Sequence, residues 1–170
     1  MSRARVLVAC TALLVAAVLQ TTLFAHLSWH GVVPNLVLLV VVACGLTTSP
    51  TQAMVLGFSG GLLLDLVPPA DHVAGRWALA MTLVAFVVSS VRPDVRPTAL
   101  GVVGTVAASS FVGCSVFALS GLLLGDVSVS VGEVLSVILI GVVWDVVATP
   151  LVLPGLMKLL NRLDPRSAVA

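Results

Sequence analysis

Two acidic residues inside apolar segments are the side chains of this chain best placed to do chemistry. Asp65 follows the uncharged run 57–64, and Asp145 lies in the middle of a long apolar segment near the C-terminus. A carboxylate in an apolar environment is costly, so it normally faces protein, water or a partner charge. Each is therefore either a buried hydrogen-bonding group or a protonatable group of a binding site or proton path.

Asp65 belongs to a pattern of small residues. Gly57, Gly61 and Asp65 are spaced by four, so on a helix they share one face. Small residues at this spacing let two helix backbones approach closely. We therefore favour a structural role for Asp65, as a buried hydrogen-bonding group at a helix contact, and on that interpretation Asp65→Asn should be tolerated. Arg76, across a short connection, is the nearest candidate counter-ion.

Asp145 has two interpretations that the residues leave open. Thr149 lies one turn further along, and Pro150 removes a backbone N–H from the helix. In the structural interpretation, hydroxyl and carbonyl groups freed around this proline satisfy the carboxyl group. In the functional interpretation, Asp145 is a protonatable site, because a carboxylate in mid-segment cannot reach the membrane surface.

The histidines and cysteines do not predict a metal site. His26 and His30 are spaced by four, which can chelate a metal on one helix face, but no third ligand stands at a fixed spacing and Gly31 and Pro34 interrupt a helix there. The three cysteines are scattered through apolar runs, which is typical of small packing residues. We predict no metal, no cofactor and no catalytic residue.

The elements that must position these residues are transmembrane helices. Of the 170 residues, 59% are hydrophobic and 9% are charged, whereas soluble domains average about 45–50% apolar and about 25% charged. A membrane-spanning helix needs about 20 apolar residues, so the length suits six short helices in one all-α membrane domain over residues 1–170. The predicted spans are 6–25, 34–46, 50–67, 72–91, 97–124 and 131–160.

Local signals mark several of the predicted helix starts. The runs 49–52 (SPTQ) and 130–133 (SVGE) are both typical of a capping box, the first with proline at the first helical position. Pro97 likewise suits a first turn. Pro150 and Pro154 fall inside the last predicted span, where they are expected to kink the helix.

The basic residues predict the orientation in a plasma membrane. With a cytoplasmic N-terminus, all of the eight Lys and Arg residues except Arg76 lie on the cytoplasmic side, in agreement with the positive-inside rule. The C-terminus is then cytoplasmic too, and Trp29 and Trp77 lie near the outer interface. No long basic run indicates nucleic-acid binding. The connections are too short for a soluble catalytic domain, so we do not expect an enzyme.

Three motifs together resemble the rod shape-determining protein MreD family. They are PNLVL at 34–38, GFSGGLLLDL at 57–66 and AGRWAL at 74–79, in that order. A last helix with proline and a basic tail follows them. The chain length, the six predicted spans and the short connections are also similar to that family. Asp145 is not part of the resemblance, so its role rests on the residues around it.

The resemblance implies a non-enzymatic membrane subunit of the bacterial cell-elongation complex. Such proteins bind MreC, a bitopic membrane protein with a large outer domain, and through it act with RodA and a class B penicillin-binding protein on lateral peptidoglycan synthesis and cell shape. The family's fold is similar to the S-components of energy-coupling-factor transporters, with six helices around a central cavity. The matched positions expected to matter are Pro34, Asn35, Gly57, Gly61, Asp65 and Gly75.

That fold relation supplies an alternative function, the substrate-binding S-component of a vitamin or small-molecule transporter. Such a protein needs polar or aromatic groups that converge on a pocket. The chain has no Tyr and three Trp, and few polar residues lie in its predicted outer half, so we favour the MreD-like function. A proton-coupled transporter using Asp65 and Asp145 is a third interpretation, but the sequence shows no inverted repeat.

Overall fold

The described part of the chain forms a bundle of six α-helices. The computed structural model describes residues 2–68, 72–91, 98–125 and 130–163. The helices are α1 (Arg3–Thr22), α2 (Leu36–Thr47), α3 (Pro50–Leu66), α4 (Arg76–Val91), α5 (Ala99–Leu123) and α6 (Val131–Arg162), with a short 3-10 helix at Phe24–Leu27. The predicted all-α class is confirmed. The first and last residues of each predicted span lie within about one helical turn of those of the corresponding helix.

Helix α2 is the central element of the bundle. It contacts each of the other α-helices, and residues 36–45 are all buried. Its sequence, LVLLVVVACGLT, is apolar on every side, and a helix with that pattern is one that its neighbours surround. At the centre, where the resemblance implies a cavity, the structure therefore has a helix.

Helices α3 and α4 form the most extensive contact in the bundle. A Cβ atom built on Gly57 would lie 2.6 Å from the carbonyl oxygen of Met81, and one built on Gly61 would lie 2.5 Å from the Cα of Ala78. No side chain fits at such distances, so the two backbones touch. The close approach predicted from the spacing of these glycines is confirmed, and α4 is the helix that they meet.

The helix starts follow local chemistry, with one exception. At Ser130 the capping box is present, with the hydroxyl bonded to the N–H of Glu133 and the Glu133 carboxylate bonded to the N–H of Ser130. At Ser49 the predicted capping box is wrong, since its side chain makes no capping hydrogen bond. Pro50 follows it at the first helical position, where proline already removes one of the donors that a cap would satisfy.

Helix α6 continues through its two prolines. Pro150 and Pro154 both lie inside the single helix Val131–Arg162. Immediately before Pro150, the hydroxyl of Thr149 donates to the main-chain carbonyl of Asp145 at 2.7 Å. The prolines therefore do not divide the last predicted element into two.

Three of the helices have the dimensions of membrane spans. Helices α1, α5 and α6 are long and apolar enough to cross a membrane. Helices α2, α3 and α4 are shorter, with 12, 17 and 16 residues. The predicted helix start at Pro97 and the charged residues Asp71, Arg92, Arg96, Asp126 and Arg166 lie outside the described residues.

Candidate functional site

Asp65 caps the start of a neighbouring helix. Its carboxylate accepts hydrogen bonds from the backbone N–H groups of Gly75, Trp77 and Ala78 at 2.9, 3.0 and 3.0 Å. The N–H groups at the start of a helix have no partner within the helix itself. Asp65 is 3% exposed and lies at the C-terminal end of α3. It therefore gives α4 the kind of acceptor that an N-cap side chain normally supplies.

Gly75 makes the turn that brings α4 to this carboxylate. Its φ of +102° lies in a region that residues with a side chain rarely adopt. Its carbonyl oxygen accepts the first hydrogen bond of α4, from the N–H of Leu79 at 2.9 Å. Position 75, which the resemblance singled out, thus has a local conformational reason to be glycine.

Arg76 is directed to α5 and not to Asp65. Its Nη2 donates to the carbonyl oxygen of Phe117 at 2.8 Å, and its Nε donates to the hydroxyl of Ser120 at 3.3 Å. The guanidinium also lies 4.0 Å from the centroid of the Phe117 ring, a cation–π geometry. Among the described residues, the ion pair suggested for Asp65 and Arg76 is not formed, because Asp65 bonds to backbone N–H groups at the start of α4 while Arg76 bonds to α5.

An aromatic cluster completes the contact between α4 and α5. Trp77 stacks on Phe117 with ring centroids 4.3 Å apart, and His72 meets the same ring edge-on at 5.0 Å. The Nδ1 of His72 lies 3.7 Å from the nearer oxygen of Asp65. Asp65 and Arg76 therefore stabilise one region of contact between α3, α4 and α5.

Asp145 is buried between three helices and is 1% exposed. One carboxyl oxygen accepts the backbone N–H of Asn35 at 2.6 Å, and the other accepts the hydroxyl of Ser110 at 2.6 Å. The suggestion that groups freed around Pro150 satisfy this carboxyl group is wrong. Carbonyl oxygens are acceptors, and the Thr149 hydroxyl bonds to the main chain of Asp145 instead.

The two ends of the central helix α2 carry complementary groups. At its N-terminus, the buried Asn35 accepts the N–H of Leu38 at 3.0 Å through its side chain, while its own N–H donates to Asp145. At its C-terminus, the buried guanidinium of Arg5 donates to the carbonyl oxygen of Thr47. A hydrogen-bond acceptor at the N-terminus and a cation at the C-terminus both complement the dipole of the helix. Side chains of α6 and α1 thus hold α2 at its two ends.

Substitutions at Asp145 should separate hydrogen bonding from charge. We expect Asp145→Asn to unfold near the wild-type midpoint, because its oxygen can accept from Asn35 and its amide can donate to Ser110, whose hydroxyl also accepts. Asp145→Leu leaves both partners unsatisfied, which costs about 1–3 kcal/mol for each buried group. Thermal unfolding of the purified variants in detergent measures this difference. Equal loss in both variants would show instead that the protein needs the ionisable group.

The histidines do not form the helical pair that their spacing allows. His26 lies in the 3-10 helix Phe24–Leu27, and His30 has a φ of +50°, so the two residues do not share the face of one α-helix. Within the described ranges, no group of three or more His, Cys, Asp or Glu side chains is arranged to hold a metal. Cys44 is buried in the apolar core, in keeping with a packing role.

Sequence reasoning missed Arg5, Ser110 and Phe117. Each makes its contact with a residue between 35 and 42 positions away, so no local pattern points to the partner. Ser110 is one of several hydroxyl residues in α5, and Arg5 was counted only as a cytoplasmic charge. A buried carboxyl group predicts that hydrogen-bond donors lie next to it, but it does not show which residues supply them.

The site is thus a set of buried polar contacts between helices. The carboxyl oxygens of Asp65 and Asp145 accept backbone N–H groups and one hydroxyl of the same chain. Such contacts position helices and hold a particular packing arrangement; a reaction would need these groups to face a substrate. No protein-family model, no curated protein and no solved structure matches this chain.

Proposed function

We propose that this chain is a multi-pass, non-enzymatic membrane subunit of the bacterial cell-elongation machinery, similar to the MreD family. Its role is to bind an MreC-type bitopic protein and so support lateral peptidoglycan synthesis by RodA and a class B penicillin-binding protein. The apolar composition, three helices with the dimensions of membrane spans and the three ordered motifs support this proposal.

In the proposed topology all six helices cross the plasma membrane, with both termini in the cytoplasm. Helix α2 has 12 residues and so measures about 18 Å, against a hydrocarbon core of about 30 Å. Such a short helix suits a span that protein surrounds, since it need not match the lipid thickness. The contacts of α2 with each of the other α-helices support this assignment.

The main support for the proposal is that the two buried carboxyl groups bond to other groups of the same chain. Asp65 accepts three N–H groups at the start of α4, and Asp145 joins α2 to α5 and α6. A transporter or an enzyme places such groups where substrate, ion or water can reach them. Here they are 3% and 1% exposed, so they serve the shape of the bundle and leave its outer faces for partners.

The S-component alternative has less support. Helix α2 fills the centre of the bundle, and the groove between α4 and α5 is lined mainly by aliphatic and small side chains. A vitamin site needs several polar groups directed at one ligand. A scaffold that presents apolar faces to other transmembrane helices agrees better with these features.

Deletion of the gene in its own host tests the proposal. We expect rod-shaped cells to become round, the new wall label along the side wall to disappear, and a plasmid copy of the chain to restore both. We also expect an affinity-tagged chain, solubilised in mild detergent, to retain the MreC-type protein. Normal cell shape after deletion, combined with a defect in uptake of a vitamin, would contradict the proposal and favour the S-component.

A further inference from the structure

The apolar outer surface of the bundle is longer on some helices than on others. Around α2, the outer helices contact one another in the order α1, α3, α4, α5 and α6. Exposed large apolar side chains extend from Leu100 to Leu123 on α5 and from Val131 to Leu159 on α6. These stretches measure about 35 and about 42 Å along the helix axes, so both exceed the hydrocarbon core of a bilayer, about 30 Å.

The surface formed by α3 and α4, here called the α3–α4 face, is much shorter. Its exposed large apolar side chains extend from Val55 to Leu66 on α3 and from Leu79 to Val91 on α4, which corresponds to about 17 and about 18 Å. Tilting lets a long helix fit a thinner bilayer, but it only reduces the thickness that a short helix can span. The α3–α4 face therefore leaves about 12 Å of the hydrocarbon core unmatched, whereas α5 and α6 can match it.

The packing of α3 against α4 fixes the length of this face. A Cβ atom on Gly57 or Gly61 would overlap with backbone atoms of α4. Sliding α3 by one turn would bring Ala53 to the position of Gly57, or Asp65 to that of Gly61, and neither side chain fits there. Asp65 also accepts three N–H groups at the start of α4. The two helices thus keep one register and cannot lengthen the face by sliding.

Basic side chains of these two helices do not extend the face either. A short helix meets a thicker bilayer by snorkelling of flanking residues, by oligomerising or by thinning the bilayer. Helix α3 contains no Lys or Arg, and Arg76 is the only one in α4. Arg76 is buried and bonds to Phe117 and Ser120 of α5, so it does not reach along the lipid-facing surface. Oligomerising and thinning are the remaining ways for these helices.

The side chains on the α3–α4 face favour lipid over a second transmembrane helix. Contacts between membrane helices are enriched in small residues, which let the backbones approach. The glycines of α3 all serve such contacts inside the chain, since a Cβ atom on any of them would lie 3.0 Å or less from atoms of α1, α2 or α4. The exposed positions instead carry large side chains, including Phe58, Leu83 and Phe86. A face with its glycines turned inward suits a surface that lipid covers.

We propose that the α3–α4 face binds phospholipids with short acyl chains and thins the bilayer beside it, while α5 and α6 keep the ordinary thickness beside them. The recognised feature is the length of the acyl chains and not the headgroup. A bilayer meets a span that is too short by thinning around it, and shorter chains lower the cost of that deformation. This assignment rests on the membrane-spanning topology proposed above and goes beyond it, because it gives two sides of one bundle different lipid environments.

Spin labels at matched positions test the thinning. A nitroxide amino acid is placed singly at Leu79 and Val91 on α4, and at Leu139 and Leu151 on α6, which are exposed and equally far apart in sequence. The full chain is reconstituted in vesicles of dioleoyl phosphatidylcholine. We expect both α4 labels at the headgroup boundary, accessible to a water-soluble nickel complex, and both α6 labels in the hydrocarbon, accessible to oxygen. An α4 label as deep as the α6 labels, or shallow labels on both helices, would overturn the proposal.

Lipid selectivity is measured in vesicles with equal amounts of dioleoyl and dimyristoleoyl phosphatidylcholine. A fluorescent amino acid at Leu83 on α4 reports quenching by a brominated form of either lipid, and one at Val143 on α6 is the matched control. The short lipid should quench the probe at Leu83 at least about three-fold more effectively, because each ångström of mismatch adds to the cost of the longer lipid. The probe at Val143 should show no such preference.

Two results at Leu83 would contradict the proposal. Equal quenching by both lipids would show that the α3–α4 face does not select short chains. Protection from both lipids would show that another helix, such as that of a second copy, covers the face.

The outcomes also separate this proposal from the proposed function. If the α6 labels and the α4 labels all lie in the hydrocarbon, the thinning is wrong and the proposed topology stands. If all the labels are accessible from water, these helices do not span the bilayer, and the topology is wrong together with the lipid assignment. Neither experiment uses the MreC-type protein, so failure to retain that partner would leave the lipid assignment unaffected.

Discussion

Replacing Gly61 with alanine should prevent α3 and α4 from packing as they do in the wild type. The new Cβ atom would lie 2.5 Å from the Cα of Ala78 and closer still to the carbonyl oxygen of Trp77. Both are backbone atoms, so no rotamer change relieves the overlap and one helix must move. Overpacking typically costs about 1–3 kcal/mol, and we expect the upper end of that range because the α3–α4 contact is the most extensive in the bundle.

Fluorescence-detected size exclusion and thermal unfolding in detergent measure this effect. We expect Gly61→Ala to accumulate poorly and to unfold at a clearly lower temperature than the wild type. Gly155→Ala is the control, since its Cβ meets nothing within 4 Å, and alanine raises helix propensity by about 1 kcal/mol. Wild-type behaviour of Gly61→Ala would mean that α3 and α4 are further apart than the structure shows.

Asp65→Asn should destabilise the protein, contrary to the tolerance expected from the sequence alone. One carboxyl oxygen accepts the N–H groups of Gly75 and Ala78, and the other accepts the N–H of Trp77. An amide has a single oxygen, and its NH₂ group would face an N–H donor in either orientation. At least one buried donor is then unsatisfied, which costs about 1–3 kcal/mol. Asp65→Leu leaves all three unsatisfied and should be worse.

Two comparisons make the Asp65 prediction specific. Asp145→Asn is the matched control. The hydroxyl of Ser110, which donates to Asp145 in the wild type, can instead accept from the amide of the asparagine, so this variant should be as stable as the wild type. The double variant Asp65→Asn with Arg76→Gln should recover nothing, since Arg76 bonds to Phe117 and Ser120. Recovery of stability in the double variant would restore the ion-pair interpretation, and an Asp65→Asn variant as stable as the wild type would refute the capping geometry.

The sequence by itself determined the helices and the presence of a close helix contact along one face of α3. Helix boundaries depend on signals within one turn, such as Ser130 with Glu133, and on apolar runs that any topology must bury or place in lipid. The pattern of Gly57, Gly61 and Asp65 repeats every four residues, so it predicts a close helix contact whichever helix supplies the other side.

Only the tertiary structure decided which groups satisfy the buried polar side chains. Asp145 lies 110 positions from Asn35 and 35 from Ser110, and Arg76 lies 41 from Phe117. Hydrogen bonds need donor and acceptor within about 3 Å, so these pairs depend on how the other five described α-helices are arranged around α2. Local sequence patterns extend over a turn or two and carry no information about that arrangement. The sequence therefore showed that Asp65 and Asp145 need partners, and the arrangement of the helices selected them.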